Sequence, residues 1–357
     1  MSNRLSRAIH TLKKKARLPY LVTDICNIRY LTGFSGSYAW LLLNEGRSFF
    51  ISDSRYEEYA RSILPKSVAF TLQKGDIFSL LKGMIKDNGF QQVYLEEQAL
   101  TLSTYLQMRK ELRGTKIIPG ENEINILRME KDATELPILR KAAEITDRCF
   151  NHLLKFIKPG IYEWDIAVEI EHFYRQNGCR KTSFDSIVAS GHGSSMPHYE
   201  TSMKKKVRAG DVILIDMGCT YEGYNSDLTR TIFLNSIDAE IEKIYHIVRE
   251  AQEQAIAAVR AGITTGKLDS AARDYIASRG YGENFGHSLG HGLGMEVHEL
   301  PAIKKNGSLR LKKNMAITIE PGIYLPGLGG VRIEDMVLVT SRGHEVLTGS
   351  NKDIIVI

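Results

Sequence analysis

Two stretches of this 357-residue chain follow one template. IKPGIYEWDIAVEIEHFYRQNG (157–178) and VRAGITTGKLDSAARDYIASRG (259–280) align at a constant offset of 102 residues. Gly160 falls against Gly262, Ile161 against Ile263, Ile166 against Leu268 and Gly178 against Gly280. Each stretch reads as a helix entered through a basic residue and a glycine turn. One repeated pair is too few for a solenoid. It fits a domain assembled from two related α+β halves, and chemistry carried by one half should then recur in the other.

The first half contains VILIDMGCTYEGYNSDLTRT (212–231), in which four β-formers, Val212 to Ile215, run straight into Asp216. A turn at Thr220-Tyr221-Glu222-Gly223 is expected, with Gly supplying the conformational freedom. Folding about Tyr221–Glu222 sets Asp216 opposite Asp227. Two carboxylates so opposed, with Cβ atoms roughly 5 Å apart, destabilise a sheet. Either one stays protonated or a cation holds both.

The second half repeats the device in MAITIEPGIYLPGLGGVRIEDMVLVT (315–340). Folding about Gly327 sets Glu320, at the end of an apolar run, opposite Glu334. Acids placed only on solvent faces would not account for such positions. Between the hairpins, GHSLGHGLGMEVHELP (286–301) holds His287, His291 and His298 among glycines that let backbone approach closely. His198, in SSMPHYE, is a further candidate; His10, His152, His172, His192, His246 and His344 carry no functional signal. Four carboxylates and an imidazole can hold two divalent ions about 3.5–4 Å apart, a clamp used in hydrolysis. Oxygen-dominated ligation favours a hard ion such as Mn²⁺ over thiolate-bound zinc.

Ahead of this region the chain alternates between strand and helix. Strands are predicted at 20–23, 39–43, 48–52 and 92–96, and helices at 54–63, 76–88 and 101–113. A first helix comes from Leu5, Ile9, Leu12 and Ala16 at helical spacing, a reading preferred to a transit peptide. ENEINILRMEKD (121–132) looks like a crossing into a second domain, entered by a helix from about 134 to 156, so the expected domains are 1–124 and 125–357. Hydrophobic content of 43% and charged content of 25% are ordinary for a globular protein. No apolar run reaches the ~20 residues of a membrane span. The net charge of +5 is spread out apart from Lys13–Lys15 and Lys204–Lys206, which argues against a nucleic-acid partner. Cys26, Cys149, Cys179 and Cys219 lack CxxC spacing, so a reducing, cytoplasmic setting is expected.

Asp216, Asp227, His291, Glu320 and Glu334, in the order D-x10-D…H…E…E, resemble the ligand set of the pita-bread metallopeptidases. IDMGCTYEGYNSDLTRT, GHGLGMEVHELP and IEPGIYLPGLGGVRIED are similar to the Xaa-Pro peptidase branch, aminopeptidase P and prolidase. YLTGFSGSYAW and FFISDSRYEEYA resemble that branch's accessory domain. The resemblance implies a pita-bread α+β catalytic domain of two halves behind a smaller α/β creatinase-type domain. It implies that Asp227 and Glu334 bridge two ions, that Asp216 holds one, and that His291 and Glu320 complete the other. The ions would be Mn²⁺, with Co²⁺, Zn²⁺ or Fe²⁺ as alternatives. Glu320 is then the proton acceptor in attack by water on the carbonyl before proline. His198 and His298 contact substrate and stabilise the tetrahedral intermediate, His287 lines the pocket, and Arg332 orients carboxylates. Peptides with proline second are the implied substrates, and a homodimer the implied assembly. The Xaa-Pro aminopeptidase is the first expectation and the Xaa-Pro dipeptidase the alternative. A methionine aminopeptidase fits the strings less well, a creatinase-like enzyme lacks the metal set, and a non-catalytic binding protein would be expected to have lost ligands. Dipeptide recognition needs an extra cation; Arg55, Arg61 and Lys204–Lys206 are candidates among which the sequence does not choose.

Overall fold

Short runs of β-branched, aromatic and leucine residues, broken by Gly, Pro and Asp, set the strands. The computed structural model describes residues 2–357, so Met1 of the expected first domain lies outside the described residues. The chain divides into two compact units, 1–128 and 129–357.

The first unit is an α/β sheet of six strands: β1 (Tyr20–Val22), β2 (Trp40–Leu43), β3 (Ser48–Ser52), β4 (Val68–Leu72), β5 (Gln92–Leu95) and β6 (Lys116–Pro119). Their order is β4-β3-β2-β1-β5-β6. β1, β2 and β3 pair antiparallel, while β4, β5 and β6 join in parallel. The helices are α1 (Ser2–Lys14), α2 (Ile25–Thr32), α3 (Glu57–Ile63), α4 (Ile77–Asp87) and α5 (Leu102–Glu111). Leu21, Leu42 and Ile51 of the sheet bury against Phe78, Leu81 and Met108. The sequence reading missed α2, β4 and β6. β4 is mostly half-exposed, and β6 is a four-residue edge strand that ends in proline, so neither shows a clean period. The unit boundary falls within α6 (Glu123–Met129).

In the second unit the repeat is a repeat of structure. After α7 (Leu136–Phe156), α8 spans Glu163–Gln176; after α9 (Ala239–Ala258), α10 spans Thr265–Ser278, each bound displaced by 102. The entries match bond for bond. Gly160 N donates to Val207 O and Gly262 N to Leu311 O, while isolated bridges join Tyr162 to Lys206 and Thr264 to Arg310. Each helix pair covers its own core. One is built on Phe150, Ile166, Ile170 and Ile215, the other on Val248, Leu268, Ile276 and Ile319.

The strands of the first half are β7 (Lys181–Thr182), β8 (Ile187–Ser190), β9 (Val212–Met217), β10 (Cys219–Tyr221), β11 (Tyr224–Asn225) and β12 (Leu228–Phe233). Those of the second are β13 (Gly290–Gly292), β14 (Glu299–Ile303), β15 (Ala316–Ile319), β16 (Gly322–Leu325), β17 (Gly329–Arg332), β18 (Asp335–Val339) and β19 (His344–Val346). They form sheets ordered β12-β9-β8 and β14-β13-β15-β18-β19, with β11-β10-β7 and β16-β17 as smaller extensions. The halves are joined where Glu334 N donates to Thr229 O (3.1 Å) and Arg332 N to Thr231 Oγ1 (3.2 Å).

One register differs from expectation. In the first hairpin Thr229, not Asp227, lies opposite Asp216, and Tyr221 pairs with Tyr224. The tip is the two-residue turn Glu222-Gly223, with φ of 47° and 88°. A turn with both central residues left-handed matches strand twist better than the four-residue turn read from the sequence. The slip is two residues. Because side chains alternate with period 2, Asp227 still shares a face with Asp216, now as its diagonal neighbour. In the second hairpin Gly322 pairs with Arg332 and Ile319 with Asp335, the register that sets Glu320 opposite Glu334.

Candidate active site

Apolar strands carry the acids to one cavity of about 490 Å³. It is lined by Asp216, Asp227, His291, Glu320 and Glu334, and also by His198, His287, His298 and Arg332. Asp227 and Glu334 are buried, and Asp216, Glu320 and His291 partly so. Ligand atoms of Asp227, His291 and Glu334 lie within 4.8 Å of one another. His291 Nε2 is 3.6 Å from Asp227 Oδ2 and 3.4 Å from Glu320 Oε1.

The electrostatics of so many acids are adverse. Burial, and next the charges of Asp216 and Glu320, hold the Asp227 carboxyl well above its ordinary range. Burial and Asp227 do the same to Glu334. Glu320 is pushed up to about 8, mainly by burial and also by Asp216, with Arg332 acting the other way. Burial lowers His291 to about 4, so its imidazole is neutral. Nδ1–H donates to Gly292 O (3.1 Å), which turns the Nε2 lone pair toward the acids.

Hydroxyls and one guanidinium fix the carboxylates. Thr229 Oγ1 donates to Glu334 Oε2 (2.8 Å) and Thr318 Oγ1 to Glu320 Oε1 (3.1 Å). Arg332 is buried; it donates through Nη2 to Asp216 Oδ2 (2.6 Å), through Nε to Thr229 Oγ1 (3.0 Å), and through Nη1 to Tyr324 Oη (2.9 Å) and Pro197 O (3.3 Å). On the far face of β18, Asp335 accepts from Arg230 Nη2 (2.7 Å) and Lys352 Nζ (2.9 Å), which keeps its carboxylate below its ordinary range despite burial.

The histidines divide into two kinds. His287 bonds Ser288 O through Nδ1 (2.8 Å) and Tyr324 Oη through Nε2 (2.9 Å), so it lines the cavity with both nitrogens engaged. His298 stands edge-to-face on His291, with ring centroids 4.4 Å apart. Neither His198 nor His298 has a hydrogen bond to its imidazole among the described residues, so both remain available to a bound molecule. The sequence reading missed Thr229, Thr318 and Tyr324. Two of these were accessible to period-2 logic, since each threonine lies two residues along a strand from an acid on the same face. Among the described residues, none of the candidate cations for a substrate carboxylate lines this cavity. Arg55 pairs with Asp53 and Arg61 with Glu57, and Lys204–Lys206 line a different cavity.

Comparison with known proteins matches residues 137–341 to metallopeptidase family M24 and residues 4–130 to the creatinase/prolidase N-terminal domain. The chain belongs to metallopeptidase family M24. Its two-half α+β unit is therefore the pita-bread fold and its leading α/β unit the creatinase-type domain. Among its M24 relatives, the Xaa-Pro dipeptidase of Pyrococcus horikoshii is 36% identical over 99% of both chains. The structure of a Bacillus anthracis Xaa-Pro dipeptidase is 38% identical, with TM-score 0.96 and 99% of both chains covered. That of a Thermotoga maritima X-Pro aminopeptidase is also 38% identical, with TM-score 0.87, covering 95% of this chain and 97% of its own.

The residues present fit the divalent metal that an M24 metallopeptidase implies. Asp216 Oδ1 is buried and has no hydrogen-bond partner, an arrangement that costs free energy unless a cation is bound there. The mutually repelling acids and the neutral imidazole beside them fit the same assignment.

Proposed function

We propose that the chain is an Xaa-Pro dipeptidase that uses two divalent ions, Mn²⁺ in the first instance. Support comes from one observation above all. All nine site residues expected from sequence line a single cavity in a chain that matches Xaa-Pro dipeptidases end to end. That relationship moves the dipeptidase ahead of the aminopeptidase reading favoured by sequence. Asp216, Asp227, His291, Glu320 and Glu334 would hold the ions. When bound, such ions lower the pKa of water and polarise a carbonyl.

The protein's own groups do the rest. Glu320 accepts the proton of the attacking water. His198 and His298, with free imidazoles, donate toward the carbonyl oxygen as it gains charge. Arg332 keeps Asp216 aimed at the cavity. An Xaa-Pro bond is a tertiary amide with no N–H, which excludes proteases that need that donor. A homodimer in a cytoplasmic setting completes the proposal.

One feature favours the aminopeptidase as a second reading. Among the described residues lining the cavity, Arg332 is the one guanidinium or ammonium group, and Asp216 already holds it. A dipeptide's free carboxylate therefore has no obvious counter-ion in this cavity. The deciding experiment adds Mn²⁺ to metal-stripped protein and follows cleavage of an Xaa-Pro dipeptide and an Xaa-Pro-Yaa tripeptide. Preference for the dipeptide is expected. Preference for the tripeptide installs the aminopeptidase, and cleavage of neither by metal-loaded protein overturns both.

A further inference from the structure

Glu163 is fully buried, and none of the chemistry above uses it. It is the first residue of α8, where the helix N-terminus favours an acid. Its Oε1 accepts from Ser190 N (2.8 Å) and Ser190 Oγ (2.6 Å) and lies 3.2 Å from Lys205 Nζ. Its Oε2 accepts from Tyr199 Oη (2.9 Å) and Ser202 N (3.2 Å). Lys205 Nζ also donates to Ser190 O, which draws the two ends of this segment together. Among the described residues, every donor to the Glu163 carboxylate thus lies between Ser190 and Lys205, and His198 sits inside that span.

His198 has an anchor on each side. The carbonyl of Pro197, just before it, accepts from Arg332 Nη1. Tyr199, just after it, is held by Glu163. Nearby, Ser194 Oγ accepts from Gly330 N (2.8 Å). An imidazole that no protein group holds must take its aim from its backbone. Arg332 ties one flank of His198 to Asp216, and Glu163 ties the other to α8.

We infer that Glu163 is a positioning residue that fixes His198 in the cavity by gripping Tyr199 and the ends of the 190–205 segment. The role in turnover rests on the peptidase reading above; the placement of His198 does not.

The test therefore has two arms. In the first, histidine-labelled, metal-free protein is examined by NMR, with the His198 signal identified by its loss in His198→Ala. Glu163→Gln and the milder Tyr199→Phe should each shift or broaden that signal, and Tyr199→Phe decides alone if Glu163→Gln fails to fold. A His198 signal unchanged in both overturns the inference. In the second arm, Glu163→Gln should lower kcat for an Xaa-Pro substrate by roughly 10–100-fold, as loss of a supporting hydrogen-bond partner does, with KM and metal content little changed. Placed on His198→Ala it should cost less than about 2-fold more, because coupled residues are not additive. An equal loss in both backgrounds overturns the inference. Absence of Xaa-Pro turnover in the wild-type enzyme counts against the peptidase reading, and the spectra then decide on Glu163.

Discussion

Arg332 Nη2 lies 2.6 Å from Asp216 Oδ2, while Asp216 Oδ1 is buried with no partner. One guanidinium commits half of a carboxylate and leaves the other half facing the cavity. A lysine could keep the charge but not the fork that also reaches Thr229, Tyr324 and Pro197. Arg332→Lys should therefore fold and bind Mn²⁺ about 10–100-fold more weakly. Titration calorimetry on metal-stripped protein measures this, and unchanged affinity would remove Arg332 from its assigned role.

Asp227→Asn should act in opposite directions with and without metal. Burial and the neighbouring Asp216 and Glu320 work against ionised Asp227. Without metal, removing that carboxylate should raise the melting temperature by about 2–4 °C for each ~1 kcal/mol relieved. Mn²⁺ should raise the melting temperature of the wild type but not that of the variant. Calorimetric scans in chelator and in Mn²⁺ give both numbers, and a metal-free variant less stable than wild type would contradict the repulsion.

Gly290 of β13 packs directly on the backbone of Thr318 in β15. A Cβ there would lie 2.0 Å from Thr318 O, so alanine must push aside the strand that carries His291. Gly290→Ala is expected to lose at least tenfold in metal affinity and about 1–3 kcal/mol in stability, as overpacking does. Gly286→Ala, with open space around its Cβ, is the control and should match wild type in both.

In the first unit, burial raises Glu96 from 4.5 to about 7, although Thr23 N, Asp24 N and Asn27 Nδ2 donate to it. The folded unit then binds more protons than the unfolded chain between those values, so its stability falls as pH rises through that window. The contribution is full below about 4.5 and gone above about 7, and amounts to about 3 kcal/mol at 1.36 kcal/mol per unit. Urea unfolding followed by Trp40 fluorescence, in a Trp164→Phe background, should show this slope. Glu96→Gln should flatten it, and an equal slope in the variant would assign the effect elsewhere.

What the sequence revealed depended on how local the signal was. The α8–α10 repeat, the long helices and the Glu320–Glu334 register follow from periodicity and from the Pro-Gly-Leu-Gly-Gly tip, which are contained within short segments. The Asp216 hairpin was misplaced by two residues because Tyr221-Glu222-Gly223-Tyr224 admits more than one turn, and left-handed Glu222 leaves no mark in composition. Tyr324, Thr229 and the anchoring of Pro197 depend on Arg332 reaching across strands from 8 to 135 residues away in sequence, which no local pattern encodes. The short edge strands β4 and β6 were lost for want of a full buried face.

The same two-residue slip says how this hairpin can change over evolutionary time. Asp216 and Asp227 share a face because Asp227 lies two residues from Thr229, the partner of Asp216. Insertions or deletions near the tip are therefore harmless in facing pairs, one residue from each arm. A single-residue change in one arm would turn Asp227 away from Asp216, so descendants of this chain should vary there in twos.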